Sequence, residues 1–251
     1  MYTFESKIRY SEIDRSGELT LESLIDYFQD CSTFQTQDGP ASMEYLRDKG
    51  IVWVLSSWQI VVNRYPKLCE DVVIGTVPYD MRGAIGYRNF FMDTKDGERL
   101  AVTNSIWTLV NIEKGFPSRI TDEILKAYPI EPKIEMEYEG RKIEIPEDEE
   151  KFWGEEIQVK RHNLDTNNHV NNGQYVRIAM DCLPKRDLKV VAMRAEYKKQ
   201  SRLGDVLCPV VITGKKGHND KYIVSLNGED GKPVCVVELV VSWYGNAFLE
   251  K

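Results

Sequence analysis

Residues 163–175 read Asn163-Leu164-Asp165-Thr166-Asn167-Asn168-His169-Val170-Asn171-Asn172-Gly173-Gln174-Tyr175. An acid, an amide and an imidazole stand at alternate positions. Read as an extended segment, Asp165, Asn167 and His169 share one face and can line one pocket. Asn171 and Asn172 suit helix N-cap positions, ahead of apolar residues at Val176, Ile178, Ala179 and Cys182. A helix start offers unpaired N–H groups and the positive end of its dipole, a place for developing negative charge. Acid, amide, base and helix end together point to attack on a carbonyl. The plainer alternative is an Asn-rich loop that caps a helix.

The same pattern occurs earlier in the chain. Laid over Asp14 without gaps, Asp165 brings Leu164 onto Ile13, Val170 onto Leu19, Asp181 onto Asp30 and Cys182 onto Cys31. Both halves then run into strand-like segments with an Asp-Gly turn signal, Asp96-Gly97 and Asp230-Gly231. Two long copies mean a duplicated unit rather than a solenoid. Where the second copy has Asn167 and His169, the first has Ser16 and Glu18. One active site per chain is the expectation, with the first copy supplying walls, including the substrate cavity.

Working outward, Lys7–Ile13 reads as a strand entering a turn. Leu21, Leu24, Ile25, Phe28 and Cys31 follow helical spacing up to Gly39-Pro40. A short helix over Ser42–Lys49 closes at Gly50. Ile51–Asn63, Asp71–Val77, Ile85–Met92 and Ala101–Asn111 read as strands, and Asp122–Ala127 as a helical turn. In the second half, Val190–Tyr197, Val206–Thr213, Lys221–Asn227 and Val234–Trp243 read as the sheet. Helix and antiparallel strands in each copy make the class α+β. The expected organisation is a first domain over 1–128, a connection over 129–152 and a second domain over 153–251. The connection carries Pro129, Pro132 and Pro146, with one strand expected over Lys133–Tyr138.

A length of 251 residues, 42% hydrophobic and 29% charged, is that of a globular chain with sizeable cores. The net charge of −7 argues against a nucleic-acid binder. Glu131–Glu156 holds eleven acids against four bases, so this segment accounts for the whole imbalance. No apolar run is long enough to span a membrane. The N-terminus lacks the features of a signal peptide, so a cytoplasmic location is expected. Five scattered cysteines and three histidines give no disulfide framework, and no metal or cofactor is expected.

The string Asp165-x-Asn167-x-His169-Val170-Asn171-Asn172, continuing to Tyr175, resembles the acyl-acyl carrier protein thioesterases, a family of plant plastid enzymes and bacterial relatives. Arg64-Tyr65-Pro66 before Asp71-Val72-Val73, Ser105-Ile106-Trp107, and Glu196-Tyr197-Lys198-Lys199 carry the resemblance along the whole chain. It implies a tandem (double) hotdog, each unit a long central helix wrapped by a curled antiparallel sheet. It also implies hydrolysis of fatty acyl thioesters to free acid and carrier thiol. Where the family has Glu-Cys after the tyrosine and two bases, this chain has Gln200-Ser201. A hydroxyl is a weak substitute for a thiolate, and Gln200 can hydrogen-bond water but cannot take a proton.

The roles implied are His169 as general base, Asn167 holding the water or the carbonyl, and Gln200 positioning the attacking water. Asp165 orients the imidazole, polarises the site or serves the turn, as Asp14 would. Backbone N–H groups of Asn171, Asn172 and Gly173 would form an oxyanion hole. The implied partner is acyl carrier protein bearing a fatty acyl chain on 4'-phosphopantetheine. Lys198, Lys199 and Arg202, with Lys185, Arg186, Lys160 and Arg161 nearby, offer it a basic docking patch. Trp53, Trp58, Phe90, Phe91 and Met92 are candidate cavity liners or simple core. An acyl-CoA thioesterase, a hotdog hydratase or dehydratase and a non-catalytic acyl-binding hotdog protein remain the alternatives. The oligomeric state, a homodimer included, stays open.

Overall fold

The computed structural model describes residues 1–147, 149–183 and 188–243, with Trp243 described by its backbone only. The chain divides into two compact units, Met1–Arg141 and Lys142–Lys251.

The first unit opens with β1 (Tyr2–Lys7) and a 3-10 turn over Tyr10–Glu12. The long helix α1 (Leu21–Asp38) follows. Thr20 caps it by accepting the Ser23 N–H at 3.1 Å, and Gly39-Pro40 stops it. Leu21, Leu24, Ile25, Phe28 and Cys31 are buried, so the helical stripe read from sequence is the core face. A short helix, α2 (Met43–Asp48), starts from Ser42. Gly50, at φ +64, turns the chain into β2 (Ile51–Val62). β3 (Asp71–Arg82), β4 (Ile85–Thr94) and β5 (Arg99–Asn111) follow, then α3 (Asp122–Ala127). The antiparallel sheet runs β1-β3-β4-β5-β2. Phe28 of α1 meets Trp58 and Phe90 with ring centroids 6.1 and 5.6 Å apart. The helix therefore lies on one face of the sheet.

The second unit repeats this plan on a smaller scale. β6 (Lys151–Trp153) and β7 (Ile157–Gln158) both pair with β9 (Val206–Lys216). A 3-10 turn over Arg161–Asn163 precedes α4 (Asn172–Asp181). β8 (Leu188–Tyr197), β10 (Asn219–Asn227) and β11 (Pro233–Trp243) complete an antiparallel sheet in the order β8-β11-β10-β9-β6. Val176 and Ala179 of α4 are fully buried.

Two expectations differ from the structure. The first strand lies over Tyr2–Lys7, not Lys7–Ile13. Its alternation is one of half-buried and exposed residues, a weak hydrophobic signal on an edge strand. Beyond it, the Glu12 carboxylate accepts the Arg9 N–H at 2.8 Å and winds residues 10–12 into the 3-10 turn. Residues 133–138 form no strand. They are held by side-chain amides instead. Gln59 donates to Glu137 O at 2.7 Å and accepts from Glu139 N–H at 3.0 Å. Asn89 Oδ1 accepts from Ile134 N–H and Tyr138 O–H, each at 3.0 Å. In the second unit, Ile143 packs with Ile212, Ile223 and Val236, and its N–H donates to Glu196 at 3.1 Å.

Candidate active site

The residues expected to carry chemistry surround the start of α4. Asp165 Oδ1 accepts the backbone N–H of Asn167 at 2.8 Å and of His169 at 3.1 Å. The Asp165 N–H donates to His169 O at 2.8 Å, and its carbonyl accepts the Asn168 N–H at 3.1 Å. Asn168 takes φ +60. Leu164 and Val170 face each other across an antiparallel bridge. Residues 165–169 are thus a tight turn, not the extended segment that the alternation suggested. The reason is local: an aspartate readily bonds the backbone two residues on, and asparagine tolerates the left-handed region. The turn ties the Asn167 and His169 backbones to Asp165. Asn167 is exposed, while Asp165 and His169 are half-buried. The Asp165 carboxylate serves the backbone of its own turn.

Asn171 is the N-cap of α4. Its side chain accepts the Gly173 N–H at 2.8 Å, and its carbonyl accepts the Gln174 and Tyr175 N–H groups at 3.0 and 3.3 Å. The Gly173 amide, expected as an oxyanion donor, is therefore engaged by the cap. The buried Asn163 fixes the entry to the turn. Its Oδ1 accepts the Lys160 N–H at 2.9 Å, and its Nδ2 donates to Gln174 Oε1 at 3.1 Å. Asn171 N–H then returns to Asn163 O at 2.9 Å.

Two tyrosines lock the neighbouring segment to this helix start. The Tyr197 O–H donates to Asn172 O at 3.0 Å. The Tyr175 phenol oxygen accepts the Ser201 N–H at 2.8 Å, and the two rings lie 6.0 Å apart. Burial pushes both phenols up, that of Tyr197 far above its usual value, so both stay protonated. Val170 N–H donates to Ser201 O at 2.9 Å. Residues 198–202 are thereby held beside the turn. Ser201 is buried, and Gln200, one residue earlier, is exposed. Tyr197 was not singled out for a site role from sequence. The available signal was its place in a strand packed toward a helix, where a buried O–H needs a partner.

The basic residues read as a docking patch are not equivalent. Lys198, itself exposed, lies 2.8 Å from the buried Glu196 carboxylate. Lys199 is open, with Asp230 at 4.0 Å. Arg202 is exposed, and its N–H donates to Asp205 at 2.8 Å. Lys185 and Arg186 lie outside the described residues. Among the described residues no group of three or more His, Cys, Asp or Glu side chains could hold a metal ion, and no helix is long and apolar enough to cross a membrane.

The family model for the acyl-ACP thioesterase N-terminal domain matches residues 1–128, and that for the C-terminal domain matches 146–236. Oleoyl-acyl carrier protein thioesterase 1 of Arabidopsis thaliana, a chloroplastic protein, is 24% identical over 90% of this chain and 72% of its own length. The chain spans 52 to 72% of the lengths of the plant relatives it matches. A solved structure of a candidate oleoyl thioesterase from Lactobacillus plantarum superposes with TM-score 0.87 at 23% identity, over 96% of both chains. That of an acyl-ACP thioesterase from Bacteroides thetaiotaomicron gives TM-score 0.83 at 20% identity, over 96% of this chain and 97% of that one. These likenesses establish the hotdog fold for the two units. With both family models matched in order along one duplicated frame, the chain belongs to the acyl-ACP thioesterase family.

Proposed function

We propose that this protein hydrolyses fatty acyl thioesters carried on acyl carrier protein, releasing free fatty acid and the carrier thiol. The observation that supports the reading is the closed turn 165–169, which holds the His169 backbone just ahead of α4, with the next residue, Val170, bonded to Ser201 O. The bond that breaks is the thioester C–S bond, and the bond that forms is from water oxygen to the carbonyl carbon. His169 takes the proton of the attacking water and returns it to the departing sulfur. Asn167, exposed at the apex of the turn, holds the water or the carbonyl. Gln200 orients the water by hydrogen bonding, since an amide cannot accept its proton. Asp165 acts through the turn as a positioning residue.

The positive end of the α4 dipole favours the tetrahedral oxyanion. With the Gly173 amide bonded to Asn171, the role of Asn171, Asn172 and Gly173 is to set the direction of that helix end. A thiolate pathway through residue 201 is not part of this scheme, because Ser201 is buried and its amide and carbonyl are bonded to Tyr175 and Val170. The first unit contributes the acyl-binding walls, and the chain passes from it to the catalytic second unit at Arg141–Lys142. Lys199 and Arg202, rather than Lys198, face the acidic carrier and its phosphopantetheine arm. A cytoplasmic location accords with five free thiols.

Thiol release from one acyl group presented on acyl carrier protein and on coenzyme A tests the proposal. Turnover on the carrier protein that disappears in His169→Ala is the expected result. Retention of intact acyl thioester with no thiol release would overturn hydrolysis, and an equal rate on both carriers would overturn carrier recognition.

A further inference from the structure

The core of the first unit holds a cation without an anion. Arg88, on β4, is 8% exposed. Among the described residues its side chain makes one hydrogen bond, from Nη1 to Thr76 Oγ1 at 3.5 Å, although a guanidinium carries five N–H donors. The Phe90 and Tyr128 rings lie 5.9 and 5.3 Å from its Cζ. Aromatic faces favour a cation but do not answer donors that lie in the guanidinium plane. Desolvation lowers the pKa of Arg88 to about 10, which still leaves it charged at neutral pH.

The surrounding sheet has the same surplus. Phe90 pairs across the sheet with Thr103, and Arg88 with Ser105, which in turn faces Trp58. Trp58 and Phe90 both meet Phe28 of α1. Arg88, two residues from Phe90, and Thr103, opposite it, share that helix-facing side. Trp58 and Thr103 are 1% and 0% exposed, yet Trp58 Nε1 and Thr103 Oγ1 have no hydrogen-bond partner. Among the described residues, the acceptors at hand on this inner face are neutral, Thr76 Oγ1, Thr103 Oγ1 and Gln35 Oε1 of α1, the last two without a hydrogen-bond partner. A desolvated cation is matched by an anion more completely than by a neutral group.

We propose that Arg88 receives a carboxylate carried on an aliphatic chain lying between α1 and the sheet of the first unit. Two sources share that chemistry: a carboxyl group at the far end of the acyl chain being hydrolysed, and the carboxyl group of the released fatty acid. Only the choice of these two sources rests on the proposed hydrolase function; the anion site itself does not.

Binding is measured first, without turnover, by calorimetry with decanoate and 1-decanol at neutral pH. Decanoate binds wild type about tenfold or more tightly than decanol, and Arg88→Met removes the difference. The Arg88 Nε–H signal in the NMR spectrum shifts on titration with decanoate, which gives a reading in the wild type even where the variant does not fold. Equal affinity for the acid and the alcohol would overturn the site, as would a preference that survives in Arg88→Met or an Arg88 signal that stays still. The second arm compares hydrolysis of decanoyl and ω-carboxydecanoyl thioesters on acyl carrier protein. Faster turnover of the ω-carboxy chain, lost in Arg88→Met, assigns the site to substrate. Inhibition by decanoate without such a preference assigns it to product. Absence of any turnover would count against the hydrolase and leave the calorimetric result standing.

Discussion

In both units an aspartate closes the turn that precedes a helix. The Asp14 N–H donates to Glu18 O at 2.9 Å, and the Asp165 N–H to His169 O at 2.8 Å. Asp14 Oδ1 accepts the Ser16 N–H at 2.8 Å as Asp165 Oδ1 accepts that of Asn167. The left-handed residue is Gly17 in one turn and Asn168 in the other. Thr20 N–H returns to Glu12 O, and Asn171 N–H to Asn163 O, both at 2.9 Å. Leu19 N–H reaches Pro66 O, and Val170 N–H reaches Ser201 O, again at 2.9 Å. Both frames accept at the backbone carbonyl of the fifth residue, Glu18 or His169. What differs is the side chain at that position, a carboxylate in the first copy and an imidazole in the second. The aspartate is common to both copies because the turn needs it.

The comparison is broken most directly by truncating the side chain at each of the two positions. His169→Ala lowers kcat by about 10²–10⁴-fold, while Glu18→Ala leaves it within about twofold; thiol release at saturating acyl carrier protein substrate measures both. Similar losses in the two variants would mean that the first turn also takes part in chemistry. The shared role of the aspartates is sharpened by Asp14→Ala and Asp165→Ala. Each costs about 1–2 kcal/mol in denaturant unfolding, because amides are left without their acceptor. Only Asp165→Ala also lowers kcat.

The fold was legible in the sequence where spacing and punctuation agreed. The α1 stripe from Leu21 to Cys31, the stop at Gly39-Pro40, the Ser42 start of α2 and the Asp122–Ala127 helix all lie where their residues placed them. The duplication was legible because Asp14 and Asp165 have matched surroundings. The conformation of the site was not. Asp165, Asn167 and His169 alternate, and alternation is the mark of a strand; the competing signal was turn chemistry in Asp165 and Asn168. The segment over 133–138 misled for a related reason. Its half-buried residues alternate with exposed ones, yet its backbone partners are the Gln59 and Asn89 amides, which no local pattern announces. The tie from Tyr197 to Asn172 and that from Tyr175 to Ser201 are tertiary bonds, invisible without the fold.

A second contrast concerns the segments that flank the turns. In the first unit Arg64 is held by Glu70 and Glu98, each at 2.7 Å. In the second, Lys199 lies 4.0 Å from Asp230. Lys199→Glu with Arg202→Glu raises KM for acyl carrier protein substrates by about tenfold or less and leaves KM for a small thioester unchanged. Equal effects on both substrates would remove the docking role. Lys198 is excluded from this test, since a glutamate there would face the buried Glu196.

The first-unit pair also has a pH signature. The Arg64 hydrogen bond holds the Glu70 carboxyl below its usual range. Its stabilisation is present above the unfolded value and is lost as pH falls through the lower folded value. Arg64→Gln therefore moves acid unfolding to higher pH, followed by circular dichroism. The smallest effect belongs to the left-handed residues. Gly17→Ala costs about 1 kcal/mol, whereas Asn168→Gly is neutral or slightly stabilising, in thermal unfolding.

The clamp made by Gln59 and Asn89 has a practical consequence for dissecting the molecule. A fragment ending at Tyr128 would strip these amides, and Tyr79 with them, of the chain that covers them. The outer face of the sheet would then be wet and sticky at its most polar seam. An excised first unit carried through Arg141 keeps that seam closed, and the two lengths should differ in yield and tendency to aggregate before any question of ligand is asked.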